Sequence, residues 1–310
     1  MPALTKGLVR PRTTDIATTL SWYRHGHSDP TTWLKTAGRG SSATGEFVRA
    51  TITPEGPATI EFKWGAQTSV RQFGPGGDWL AGRLPAMLGV NDTADHCLEQ
   101  APDEKVAEAA RNHRTLRIGA SGGLYHELLP TIIEQRITAG EAHRQWDALC
   151  RLLGEPAPGP FSGLRLPPAP DVLAQTPSWQ LHPLGIERKR AEPLTTIAKH
   201  PTKLWAWGAG TPEEARSKLQ LLPGIGQWTI GKVLGPVCGD SDAVPVGDFH
   251  FKNMVSWALA GEARGTDERM LELLAPYAGQ RGRVVRLLGL DGHGAPRFGP
   301  KKRILAMHSW

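Results

Sequence analysis

The stretch LLPGIGQWTIGKVL, residues 221–234, holds three glycines, one lysine and no acidic residue. Gly226, Gly231 and Lys232 spell G-x-x-x-x-G-K, the outline of a loop that cradles a nucleotide phosphate. Such a loop follows a buried strand and needs Ser or Thr after its lysine to hold magnesium, and here Val233 stands in that place. The residues before it point elsewhere. Thr211-Pro212-Glu213-Glu214 reads as a capping box with proline at the first helical position, after which Ala215, Leu219 and Leu222 recur at helical spacing. Beyond the glycines, Trp228, Ile230, Val233, Leu234 and Val237 mark a second short helix. The unit is helix, glycine hairpin, helix. Its glycines let a partner approach the backbone closely, and the free N–H groups opening the second helix form an anion site suited to a nucleic-acid phosphate. An ordinary helix–turn–helix corner would use the same glycines, so both readings stand on these residues alone.

The rest of the chain narrows the choice. Its 310 residues suffice for about two domains, and a surplus of six positive charges with 11 tryptophans suits a folded protein that meets a polyanion. Cys97, Cys150 and Cys238 lie far apart with no C-x-x-C pair, which predicts buried, reduced thiols and excludes a disulfide framework, a zinc site and an iron-sulfur cluster. Neither a leader-like apolar run nor a window long enough to span a membrane occurs, so a soluble, cytoplasmic protein is expected.

Residues 15 to 99 alternate in short stretches such as Phe47-Val48-Arg49-Ala50-Thr51-Ile52 and Thr59-Ile60-Glu61-Phe62-Lys63-Trp64, broken by glycine and proline. After Pro102 the spacing turns helical in DEKVAEAARNH, LYHELLPTIIEQRI, AHRQWDALCRLLG, ERKRAEPLTTIAKH and ERMLELLAPYAG. The expected fold is α+β: a small antiparallel-sheet domain over 1–98, then an all-α domain over 99–310 with the hairpin at 212–238. EPAPGPFSGLRLPPAP, residues 155–170, reads as a proline-rich loop. Arg281, Arg283 and Arg286, with Lys301, Lys302 and Arg303 in the tail, are candidates for a basic phosphate-neutralising face. His25 and His27 lack a third partner for a metal.

Asp248 stands twenty-two residues beyond Gly226, in Val244-Pro245-Val246-Gly247-Asp248-Phe249-His250-Phe251, a loop that delivers one carboxylate to the start of an apolar helix. By itself an aspartate there is an N-cap. Together with L-P-G-I-G, the loop resembles the helix-hairpin-helix superfamily of DNA glycosylases, whose hairpin is followed by a Gly/Pro-rich loop and an aspartate. Within it the chain is most similar to the DNA-3-methyladenine glycosylase II branch, through LGIERKRAEPLTTIA (184–198), LPTIIEQRIT (129–138) and Leu116-Arg117-Ile118.

The resemblance implies a monofunctional glycosylase of base excision repair that flips alkylated purines of the 3-methyladenine or 7-methylguanine type out of duplex DNA and excises them, acting as a monomer without a required cofactor. Asp248 would be the catalytic carboxylate. Trp228, Tyr125 and Lys232 would line the base pocket, although a core tryptophan and a solvated helix lysine are the plain alternatives for the first and last. Gly224, Ile225, Gly226, Gln227, Thr229, Gln135 and Arg136 would meet DNA, Arg136 either as a wedge in the gap left by the base or as a phosphate contact. Backbone carbonyls of Gln220, Leu222 and Gly224 would hold Na+ or K+. Strand-cleaving branches carry a lysine just after the hairpin where this chain has Trp228, so Schiff-base chemistry is not expected. A glycosylase for deaminated or oxidised bases and a non-catalytic DNA-binding protein remain the rival readings.

Overall fold

The computed structural model describes residues 14–38, 43–93 and 97–296. A short helix α1 (Ile16–Leu20) precedes an antiparallel sheet in the order β1 (Thr32–Ala37), β2 (Thr44–Thr53), β3 (Gly56–Trp64) and β4 (Ser69–Phe73). The register places Phe47 opposite Phe62 and Arg49 opposite Ile60, so odd positions of β2 share a face with even positions of β3. That face is covered by α1 and by α2 (Gly77–Met87), with Leu20, Tyr23, Phe47, Ile60, Phe62 and Leu84 forming one apolar core.

The opposite face of the sheet is covered too. Val48 and Ala50 pack on Ala157, Leu164 and Leu166, which belong to the proline-rich stretch. This segment is a non-helical connection, as its composition predicts, and it closes over the strands through the Pro156–Arg165 bridge. Residues 47–51 of β2 are therefore buried on both faces, and the alternation read there separates two covered faces rather than core from solvent.

Helices make up the remainder: α3 (Glu104–Asn112), α4 (Leu124–Ile133), α5 (Ala139–Leu153), α6 (Pro170–Gln175), α7 (Ser178–Leu181), α8 (Arg188–Ala198), α9 (Pro201–Ala209), α10 (Pro212–Leu219), α11 (Gln227–Cys238), α12 (Phe249–Ala260), α13 (Asp267–Leu274) and α14 (Arg281–Leu290). The α+β class expected from the sequence is observed. All ten residues of α4 are buried, and α4 packs within a core that also includes Trp146, Leu194, Ile230 and Leu234. A second helical core joins Val106 and Leu116 to Val255, Met270, Leu274 and Val284.

The two polar residues of α4 near the sheet are satisfied there. Glu127 forms an ion pair with Arg49 at 2.5 Å and lies 3.2 Å from His25 Nε2. His126 meets the hydroxyls of Thr51 at 2.9 Å and Thr31 at 3.2 Å. The sheet is thereby joined to the helical body by charge as well as by apolar contact.

Several sequence expectations are corrected. Cys150 is buried, but Cys238 is half-buried and Cys97 is exposed. The arginines of α14 do not form a basic face: Arg281 pairs with Asp242, Arg283 with Asp92 at 2.5 Å, and Arg286 is half-buried with its guanidinium 3.9 Å from the centre of the Trp22 ring. A guanidinium placed against a carboxylate or an indole is already engaged, so these three contribute packing and pairing rather than an open field. Lys301, Lys302 and Arg303 lie outside the described residues. Among the described residues, no helix is long and apolar enough to cross a membrane, and no group of three or more His, Cys, Asp or Glu could hold a metal ion.

Candidate active site

Thr211 caps α10, accepting from the Glu214 N–H while Glu214 reaches back, so the capping box read from sequence is formed. After α10 the chain turns through Pro223-Gly224-Ile225-Gly226. Gly224 adopts φ +81°, and a Cβ there would meet Pro193 of α8 at 2.3 Å. Glycine is therefore required both by the backbone conformation and by the close approach of α8. Gly226 is different. A Cβ on it would meet nothing within 4 Å, so no contact within the protein demands glycine there, and its exposed face is open to a partner. As N-cap of α11, Gly226 offers no side chain to the N–H groups of the first turn, and helix-opening N–H groups of this kind attract anions.

Two stretches distant in sequence hold the hairpin in place. Gln135, just beyond α4, donates from Nε2 to the Gly224 carbonyl and to Thr229 Oγ1, both at 3.0 Å. Arg190 of α8 donates to the Ile133 carbonyl at 2.9 Å, to Gln145 Oε1 at 2.6 Å and to the Gly185 carbonyl at 2.8 Å, fixing the end of α4. From that end Arg136 projects, exposed, with φ +63°. Among the described residues it is the one non-glycine with positive φ, a conformation that L-residues adopt at a cost and that concentrates at functional sites.

Asp248 arrives from the other side. In α11 a Cβ on Gly231 would meet the Val244 carbonyl oxygen at 2.1 Å, so only glycine lets the loop after α11 lie against that helix. Asp267 anchors the loop through the Gly247 N–H at 2.9 Å. Asp248 caps α12, Oδ1 accepting from the N–H groups of His250 at 2.8 Å and Phe251 at 3.1 Å. Its other oxygen, Oδ2, accepts from the Trp228 indole N–H at 2.8 Å. Three donors thus fix a half-buried carboxylate beside the first turn of α11. The cap expected of an aspartate at this position is formed.

Trp228 is half-buried rather than sealed in the core. Lys232 is not a solvated helix lysine: its ammonium pairs with Glu134 and lies 5.1 Å from the centre of the Trp228 ring. Tyr125 requires a correction. It is fully buried in the α4 core, and its hydroxyl donates to the Pro168 carbonyl at 2.9 Å; burial also raises its pKa far above the ordinary tyrosine value. With ring and hydroxyl both satisfied inside the protein, Tyr125 is a core residue and not a pocket wall.

Glu134, Arg190 and Pro193 were not singled out from the sequence, although each lies in or beside a stretch quoted for its resemblance. The available signal was one acid between the apolar run Leu128–Ile133 and the Gln135-Arg136 pair. Its partner, Lys232, lies on another helix.

No protein-family model and no curated sequence matches the chain. Solved structures do. The 3-methyladenine DNA glycosylase from Archaeoglobus fulgidus superposes with TM-score 0.71 at 17% identity, covering 90% of this chain and 94% of that one. The 8-oxoguanine glycosylase/lyase of Clostridium acetobutylicum, solved with double-stranded DNA containing cytosine opposite 8-oxoguanine, gives TM-score 0.64 at 13% identity over 93% of this chain and 96% of that one. The chain has the fold of the helix-hairpin-helix DNA glycosylases.

Proposed function

We propose that this protein is a monofunctional DNA glycosylase that acts as a monomer on duplex DNA and excises alkylated purines. The observation that carries the reading is the Asp248 carboxylate, fixed by Trp228 and two backbone N–H groups beside a hairpin whose helix N-terminus is uncapped and open. Of the solved structures it is similar to, one is named as a 3-methyladenine DNA glycosylase and another as an 8-oxoguanine glycosylase/lyase.

A base inside a duplex is out of reach of any side chain, so the nucleotide must first turn out of the stack, at a cost of a few kcal/mol that is least for damaged bases. The hairpin N–H groups from Gln227 to Thr229, with the open backbone at Gly224, Ile225 and Gly226, hold a neighbouring phosphate and set the register. Arg136 occupies the gap. An alkylated purine carries a positive charge; as its bond to C1′ breaks, the electron pair leaves with the base, which departs neutral. The sugar becomes oxocarbenium-like, and the Asp248 carboxylate stabilises that charge. Water then bonds to C1′ through its oxygen and releases one proton, giving an abasic sugar.

The Gln220, Leu222 and Gly224 carbonyls fit a monovalent cation by chemistry: all are neutral oxygens at one turn. Leu222 accepts from the Ile225 N–H at 3.1 Å and Gly224 from Gln135 at 3.0 Å, which leaves each a second lone pair. Bound there, Na+ or K+ would add positive charge next to the phosphate.

The test is a panel of duplexes carrying 3-methyladenine, 7-methylguanine, hypoxanthine or 8-oxoguanine, with released base measured by chromatography at one salt concentration, because phosphate contacts make binding salt-dependent. Release of the methylated purines without a borohydride-trapped protein–DNA adduct is expected, since Trp228 stands at the place of the lyase lysine and Lys232 is engaged with Glu134. Equal or better release of hypoxanthine moves the substrate class, and a trapped adduct overturns the monofunctional reading.

Arg136 gives a separate prediction. Arg136→Gly removes the left-handed strain and should raise stability by about 0.5–1 kcal/mol, while binding to a lesion duplex weakens more than binding to an intact one. Equal loss on both duplexes would make Arg136 a phosphate contact only.

A further inference from the structure

Lys232 projects from α11 one turn beyond Trp228, and its ammonium lies over the indole ring, 5.1 Å from the centroid. The same ammonium pairs with Glu134 at the end of α4. The Glu134 side chain is 10% exposed and that of Lys232 33% exposed, so the carboxylate is walled in while the ammonium has a path to water. An electron-rich indole face beside a nearly buried carboxylate makes a cation site. This chain fills it with its own side chain.

His143 flanks the other Glu134 oxygen at 3.9 Å. Burial, outweighing the opposing charge of Glu134, keeps the His143 pKa below the ordinary histidine value. At neutral pH Lys232 is therefore the one full cation in ion-pair contact with Glu134 among the described residues.

We propose that Lys232 is an internal stand-in for the substrate: a positively charged base entering the pocket replaces its ammonium against Trp228 and Glu134, and Lys232 swings out to water. The exchange conserves charge, because one cation arrives as another leaves. A neutral base of the same shape brings no charge, and displacing Lys232 for it strands a nearly buried carboxylate, which is heavily penalised. Selection comes from what a wrong ligand would break rather than from an added contact. The inference rests on the glycosylase reading and refines it, since the favoured lesion is then a base with a fixed positive charge.

Calorimetric titration with 3,9-dimethyladeninium, a permanent cation, and with 9-methyladenine, its neutral counterpart, reads the exchange without turnover. Lys232→Met is expected to bind the cation roughly 10-fold more tightly than the wild type, about the size of one partly desolvated cation–π contact freed from competition; the neutral base, which must displace the same ammonium, gains by a similar factor and remains the weaker ligand because it brings no charge to Glu134. Lys232→Arg keeps the competing charge and should stay at or below wild-type affinity for the cation. If Lys232→Met binds the cation no more tightly than the wild type, or loses the preference for the cation over the neutral base, the exchange is wrong. Tighter binding by Lys232→Arg as well would assign the effect to packing and overturn it too. Base release from methylated duplex by the wild type, run alongside, separates the two failures. Absence of release sinks the glycosylase reading, whereas release with an unshifted titration sinks only the exchange.

Discussion

Asp248→Asn is expected to lower the rate of base release by about 10²–10³-fold, the usual loss when an electrostatic stabiliser of a transition state is removed, while leaving affinity for duplex DNA near that of the wild type. The substitution is conservative in every other respect. Asparagine caps helices as well as aspartate does, so its oxygen can keep the N–H groups of His250 and Phe251. What changes is the second atom. Oδ2 accepts from the Trp228 indole, and an amide nitrogen in that place opposes one donor with another. Single-turnover release from methylated duplex, with binding measured on the same substrate, checks the prediction. Unchanged release by Asp248→Asn would reduce Asp248 to a cap, whose removal as Asp248→Ala then costs only about 1 kcal/mol of stability.

The largest effect on stability is expected where the sheet meets the helices. Arg49 and Glu127 are 2% and 1% exposed at their side chains, and Arg49 also donates to the Tyr23 carbonyl at 2.6 Å. Glu127→Ala strands a buried guanidinium and should cost about 3–5 kcal/mol, a large part of the 5–15 kcal/mol that roughly bounds a folded domain. Replacing both charges, as Arg49→Met with Glu127→Leu, should recover most of that loss, because two apolar groups leave no charge unpaired. Chemical denaturation of the three proteins checks this; a double variant as weak as Glu127→Ala would show that the remaining hydrogen bonds of Arg49, and not the pair, carry the stability.

The same cluster sets a pH profile. Burial alone would lower the His25 pKa, but the hydrogen bond and charge of Glu127 outweigh it and raise it. Its stabilisation is therefore complete below the ordinary histidine value of about 6.5 and declines as pH rises through the raised value. His126 is opposite: burial, then the charges of Arg49 and His25, hold its pKa well below the ordinary value. Its contribution is complete above about 6.5 and is lost as pH falls through the lowered value. Between them they place a stability maximum near neutrality, and His25→Gln should remove the decline on its alkaline side.

How much of this was legible beforehand depended on distance along the chain. The capping box at Thr211, the Pro-Gly-Ile-Gly turn and the start of α11 are built from residues within a few positions of one another, so their geometry follows from local sterics and hydrogen bonding. Asp248 was legible for the same reason, as an aspartate between a glycine and an apolar helix. Tyr125 was misread because α4 is buried on every side: even its polar residues His126 and Glu127 meet protein partners, so spacing along the helix does not tell a pocket wall from the core. Arg281, Arg283 and Arg286 were misread because a run of arginines looks open until its partners, Asp242, Asp92 and Trp22, are brought to it from elsewhere in the chain.

Local sequence alone determined the class of the fold, the hairpin, and the placing of one carboxylate after it, because backbone propensity and capping act over a single turn. Only the tertiary structure decided what that carboxylate touches. The Trp228–Asp248 hydrogen bond joins positions 20 apart and the Lys232–Glu134 pair positions 98 apart. Contacts of that kind form when whole helices pack, and no short stretch of sequence carries the information that two such side chains will meet.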